Sequence, residues 1–173
     1  MPQELFLVRH GQPEPNSSVP YLIAPGPDLS ERGRLEAYAA AAFLAAHAPQ
    51  RCLMSPFART TQTAEIISRQ LKLPAETAAD LAEHGPHEEF PAVRSRLTDL
   101  VQRLQHDPAD RLVLVTHGSP IRALLQALSE DRIDLSGHVY QGGNPAPTCG
   151  IWHIDLRLPA AQRCRLVFKP AVN

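Results

Sequence analysis

The chain reads as an α/β protein: a three-layer α/β/α sandwich with a mostly parallel central sheet and an antiparallel edge. Three observations predict this. Continuous apolar runs at Leu5–Val8, Cys52–Met54 and Leu112–Val115 lack the polar alternation of a half-exposed strand, which is the pattern of a sheet covered on both faces. Each run is followed by a longer helical stretch, and that alternation implies crossover connections and parallel pairing. Near the end, residues 150–156 and 165–168 are strand candidates whose short connection suits antiparallel pairing at an edge.

Each element has its own local reason. The Pro-rich segment 13–27 reads as a loop, after which Ser30 is placed to cap a helix running through LEAYAAAAFLAAHA, residues 35–48, where Ala and Leu have high helix propensity. The strand Cys52–Met54 leads through Pro56 into a helix ending near Leu71. Phe90, Val93, Leu97, Leu100, Val101 and Leu104 recur mostly at three- and four-residue spacing and make one apolar face on a helix over 90–105. After the strand Leu112–Val115, a further helix presents Ile121, Leu124, Leu125 and Leu128, and residues 131–148 read as a second long loop.

Composition bounds the function. With 173 residues, 43% of them apolar and 20% charged, the chain supports one substantial core, so a single domain over 1–173 is expected. A formal net charge of −1 with 17 dispersed Lys and Arg argues against a nucleic-acid partner. No apolar stretch approaches the roughly 20 residues of a membrane helix, and the opening apolar run is too short for a signal peptide, so a cytoplasmic chain without a membrane partner is expected. Cys52, Cys149 and Cys164 are odd in number and show no CxxC spacing, which favours free thiols over a disulfide or a metal site. Oligomeric state is left open.

Ligands of open α/β sheets bind outside the carboxyl ends of the strands. There the first strand ends in Arg9-His10-Gly11, the second in Met54-Ser55-Pro56 with Arg59 one turn on, and the third in Thr116-His117-Gly118. Two histidines and two arginines can thus meet at one rim, beside helix N-termini that favour anions. A histidine at a strand end is more often structural, and an arginine in a first helical turn is usually solvated; it is their coincidence that points to a site. Its natural ligand is a phosphoryl group, with each guanidinium fork worth about 1.5–3 kcal/mol. Gly11 and Gly118 allow a positive-φ turn and a close approach of substrate.

The segments LVRHGQPEPN (7–16), DLSERGRLEA (28–37), SPFARTTQTAEII (55–67), DLAEHG (80–85) and LVTHGSPIRALL (114–125) resemble, in that order, the histidine phosphatase superfamily, also called phosphoglycerate mutase-like. The resemblance spans most of the chain and is to the compact phosphatase branch. It implies that His10 is the nucleophile and becomes a phosphohistidine. It further implies that Arg9, Arg59 and His117 bind phosphoryl oxygens, that Asn16 joins the same pocket, and that Glu83 is the proton donor. The chemistry is coherent: a neutral imidazole attacks phosphorus, the arginines and a protonated His117 stabilise equatorial charge, and a carboxyl protonates the departing alkoxide. No cofactor or metal is required by this scheme.

Glu88 and Glu89 lie close enough to Glu83 to compete for the donor role, and His84 with His87 forms an HxxH pair that could hold a metal, although surface positions are the commoner fate of such residues. Few residues separate Glu83 from His117, whereas the cofactor-dependent phosphoglycerate mutases carry a longer insertion there; a wetter pocket favours water as acceptor, hence a phosphatase rather than a mutase. The expected substrate is a small phosphorylated metabolite. The compact build also resembles protein phosphohistidine phosphatases, which typically lack an acid at this place. A non-catalytic phosphate-binding module is the remaining alternative, against which His10 stands. Specificity is expected from loops 17–27, 84–90 and 131–148, with Arg132, Tyr140 and Asn144 at hand.

Overall fold

The structure is a computed structural model describing residues 1–171; residues 172 and 173 of the expected domain range lie outside the described residues. In chain order the elements are β1 (Glu4–Arg9), α1 (Glu31–Ala45), β2 (Arg51–Met54), α2 (Ala58–Leu71), β3 (Ala75–Thr77), α3 (Phe90–Leu104), β4 (Arg111–Thr116), α4 (Gly118–Leu128), β5 (Ile151–Asp155) and β6 (Cys164–Phe168). The strands form one six-stranded sheet in the order β3-β2-β4-β1-β5-β6. The pairs β1–β4, β2–β4 and β2–β3 are parallel, whereas β5 is antiparallel to both β1 and β6.

The unbroken apolar runs become intelligible in this sheet. Successive side chains of a strand point to opposite faces, so an all-apolar strand needs cover on both. Leu5, Leu7, Leu53, Leu112 and Leu114 pack with Val93, Leu97 and Leu100 of α3 and Ile121, Leu124 and Leu125 of α4. Their neighbours Phe6, Val8, Cys52, Val113 and Val115 face the other way, against Ala37, Ala40, Ala41 and Leu44 of α1 and Ala64 and Ile67 of α2. The alanines let α1 lie close to the sheet. Its start is fixed as expected, since the Ser30 hydroxyl accepts the Gly33 N–H at 3.0 Å.

The strand β3 has no counterpart in the expectations. It is a three-residue edge strand, Ala-Glu-Thr, only partly covered, and neither alternation nor an apolar run marks it. The free thiols are as expected, and burial pushes Cys52 up to about 12 and Cys164 up to about 11, which favours the protonated thiol over the thiolate. Among the described residues no helix is long and apolar enough to cross a membrane.

Register is what this fold contributes to function. Arg9 lies opposite Thr116 and Met54 opposite Val115, so the next residues along, His10, Ser55 and His117, emerge side by side at the carboxyl edge of the three central strands.

Candidate active site

His10 is wholly buried, and its backbone N–H donates to the Thr116 carbonyl at 3.0 Å, which ties the end of β1 to the end of β4. Its Nδ1 lies 2.8 Å from the Gly11 carbonyl oxygen. A carbonyl only accepts, so Nδ1 carries the proton. Burial, followed by the charges of Arg59 and Arg9, holds the His10 pKa well below 6.5, so the imidazole is neutral and Nε2 keeps its lone pair. Two donors meet that lone pair: Arg59 Nε at 3.2 Å and the Tyr21 hydroxyl at 3.4 Å.

His117, also fully buried, stands with its ring centroid 5.1 Å from that of His10. Its Nε2 is 2.7 Å from Ser55 Oγ. Ser55 Oγ also accepts the Phe57 N–H at 3.3 Å; in the tautomer in which the hydroxyl gives its own proton to Nε2, His117 carries its proton on Nδ1. Burial and the neighbouring His10, Arg59, Arg9 and Arg96 push the His117 pKa well below 6.5. The sequence reading gave His117 a positive charge. That shift comes from burial and neighbouring cations alone, whereas the protonated His117 of the sequence reading belongs to the transition state, where the phosphoryl group's negative charge favours the proton.

Arg9 and Arg59 approach from β1 and from the first turn of α2. Arg9 Nη1 donates to the Ala146 carbonyl at 2.9 Å and to Gln141 Oε1 at 3.4 Å. Arg59 Nη1 donates to the Tyr21 carbonyl at 3.2 Å. Burial lowers both guanidinium pKa values, yet from a range so high that both remain charged. Arg9 Nε, Arg59 Nη2 and His117 Nδ1 are buried and have no hydrogen-bond partner among the described residues. A buried donor left without a hydrogen bond costs about 1–3 kcal/mol, which for Arg59 Nη2 and His117 Nδ1 is offset in part by Glu83 Oε2 at 3.6 and 3.5 Å. An anion with acceptors on several sides would satisfy them together.

The three candidate carboxylates separate cleanly. Glu83 is 8% exposed, with Oε2 3.6 Å from Arg59 Nη2 and 3.5 Å from His117 Nδ1, and with Oε1 accepting the His84 N–H at 3.1 Å. Glu88 is instead held by Arg96 at 2.8 and 3.0 Å, which lowers its pKa, and Glu89 is exposed at the start of α3. The HxxH pair does not assemble. His84 turns to Glu83 and Ser119, both at 3.1 Å, while His87 is exposed. Among the described residues no group of three or more His, Cys, Asp or Glu is placed to hold a metal ion.

A cleft of about 520 Å³ opens beside these groups, lined among others by Arg9, Tyr21, Glu83, His84, Ser119 and Asn144. Asn16 does not join it: the residue is exposed on the loop after β1, where Glu14 N–H donates to the Asp28 carbonyl at 2.8 Å and holds the segment against residue 28. Asn144, from the second loop, supplies an amide to the cleft instead. The glycines also act otherwise than expected. The glycines with positive φ are Gly26, Gly142 and Gly143, whereas a Cβ on Gly11 would meet the Gly33 carbonyl oxygen at 2.5 Å and one on Gly118 would overlap the Asn144 side chain. Each is therefore small because another segment packs onto it. Ser55, Thr63, which accepts the Gly11 N–H at 3.0 Å, and Tyr21 were not assigned to the site from sequence. The run of hydroxyls in SPFARTTQT was the available signal.

The fold and this rim together define a class: α/β proteins that gather buried arginines and histidines at the carboxyl ends of parallel strands. The family model described as the histidine phosphatase superfamily (branch 1) matches residues 5–88 and 82–146, and the chain belongs to that superfamily. Comparison with curated protein sequences returns no significant match. Among solved structures, the mycobacterial glucosyl-3-phosphoglycerate phosphatase superposes with a TM-score of 0.73 at 23% identity, covering 95% of this chain and 97% of that one. A protein of Agrobacterium tumefaciens whose structure carries the name phosphohistidine phosphatase SixA gives 0.69 at 23%, covering 99% and 100%. YhfR of Bacillus stearothermophilus gives 0.70 at 19%, covering 98% of both chains. At these identities the likeness is one of fold.

Proposed function

We propose that the chain is a phosphatase that hydrolyses a small-molecule phosphomonoester through a phosphohistidine on His10. The observation that carries this reading is the clustering of Arg9, Arg59 and His117, whose buried Nε, Nη2 and Nδ1 respectively lack a hydrogen-bond partner among the described residues, with a neutral imidazole whose Nε2 accepts from Arg59 Nε. The donors bind the phosphoryl oxygens and take up the charge that spreads over them in the transition state. His10 Nε2 forms a bond to phosphorus as the ester P–O bond breaks, and the bonding pair leaves on the alkoxide, which receives the Glu83 proton. Water then attacks the phosphohistidine and gives a proton to Glu83. The P–N bond breaks, inorganic phosphate departs, and His10 returns to its neutral form with the proton still on Nδ1.

The position of Glu83, within 3.6 Å of both Arg59 and His117, supports an ester over a phosphohistidine substrate, because an alkoxide needs a proton and a phosphoramidate leaving group needs one less. The open cleft beside it supports water as the acceptor. His10→Ala is expected to abolish hydrolysis of an aryl phosphate while the circular dichroism spectrum stays that of the parent. Hydrolysis retained in that variant would contradict the proposal.

A further inference from the structure

Tyr21 occupies a place that neither the fold nor the scheme above requires. It stands on the loop after β1 and is 41% exposed, whereas His10 beneath it is fully buried and does not itself line the cleft. Its hydroxyl is 3.4 Å from His10 Nε2. Its ring lies 4.0 Å from the Arg59 guanidinium carbon, with the Phe57 ring 4.9 Å from the same atom, and its carbonyl accepts Arg59 Nη1 at 3.2 Å. Arg59 Nε in turn donates to His10 Nε2 at 3.2 Å.

The direction along which a nitrogen lone pair accepts hydrogen bonds is also the line along which it attacks. For attack, phosphorus must come within about 3–3.5 Å of Nε2, and that shell holds the tyrosine hydroxyl and the Arg59 Nε–H. We propose that Tyr21 is a positioning residue: its ring and carbonyl hold Arg59 in place, while its hydroxyl occupies the phosphoryl position at His10 until a phosphate displaces it. The inference rests on His10 Nε2 being the attacking atom. Ring and hydroxyl have opposite effects. The hydroxyl competes with phosphate for the space in front of the lone pair, whereas the ring keeps the guanidinium aligned through cation–π contact.

The test compares the parent with Tyr21→Phe and Tyr21→Ala in calorimetric titrations with inorganic phosphate and in steady-state hydrolysis of an aryl phosphate. Tyr21→Phe, which keeps the ring, is expected to bind phosphate about fivefold more tightly and to lower KM, the gain of one released hydrogen bond. Tyr21→Ala is expected to bind phosphate more weakly than the parent and to lower kcat. Phosphate affinity in Tyr21→Phe equal to or weaker than that of the parent overturns the inference, as does phosphate binding to none of the three proteins. The titration needs no turnover. Loss of the hydrolytic reading, seen as activity retained in His10→Ala, is therefore read separately.

Discussion

Replacing Glu83 by glutamine removes the proton that a departing alkoxide needs while keeping the side chain's volume and one hydrogen-bonding oxygen. Glu83 Oε1 accepts the His84 N–H at 3.1 Å, a contact that an amide oxygen reproduces, whereas the amide nitrogen takes the place of Oε2 beside the Arg59 and His117 nitrogens. Any weakening of the pocket from that exchange falls on every substrate alike, so proton transfer is read from the difference between two leaving groups. General acid catalysis contributes about 10²–10⁴ in rate, or roughly 2.7–5.5 kcal/mol of transition-state stabilisation. That loss falls on a leaving group that needs the proton. For an alkyl phosphate, kcat/KM of Glu83→Gln should drop about 10²–10⁴-fold; for an activated aryl phosphate, whose anion departs unaided, the drop should be less than about tenfold. The assay is kcat/KM on both esters for parent and variant. An equal drop on the two, or none on the alkyl ester, refutes Glu83 as the acid.

The remaining predictions use other parts of the structure. His10 and His117 are held well below 6.5 in the folded chain, so the unfolded chain takes up their protons first as pH falls below 6.5. Each then removes up to about 1.4 kcal/mol of stability per pH unit on acidification, and none above that range. Urea unfolding across this window should show the slope, and His117→Asn should flatten it. Ser55→Ala removes the hydroxyl paired with His117 Nε2 and should lower kcat about tenfold, as expected for one charge-assisted contact in the transition state; it should also cost about 1–3 kcal/mol of stability, because the buried His117 Nε2 and Phe57 N–H lose their partner. Gly118→Ala places a methyl group on Asn144 and should cost about 1–3 kcal/mol, a loss that Gly118→Ala/Asn144→Gly recovers in chemical denaturation. Leu97→Ala, at a fully buried position on α3, should cost about 2–5 kcal/mol by the same measurement.

The parts of the site carried by strand ends were legible in the sequence, because an apolar run fixes where a strand stops and the parallel fold fixes which ends meet. Arg9, His10, Arg59 and His117 fall together for that reason. The loop residues were legible only in part: the sequence pointed to loops 17–27 and 131–148 and to Asn144, both loops line the cleft, but which of their side chains turn inward was not readable. Asn16 was placed in the pocket by resemblance, yet the segment around it is tied to residue 28 and leaves it in solvent, while Tyr21 and Asn144 reach the cleft through backbone paths that no periodicity records. The low proton affinity of His117 before a phosphoryl group binds was not legible, because it depends on burial and on neighbouring cations, which only the packed site reveals. The edge strand β3 escaped notice because edge strands need few apolar residues.

The covalent step is the centre of the account, and a rapid-mixing experiment reaches it directly. The parent protein is mixed with an aryl phosphate, quenched within the first turnover in alkaline denaturant, which preserves an N–P bond, and digested for mass spectrometry. The account predicts the mass of one phosphoryl group on His10, absent in His10→Ala and accumulating before free phosphate appears. A parent enzyme that turns over while His10 stays unmodified at every time point would contradict it.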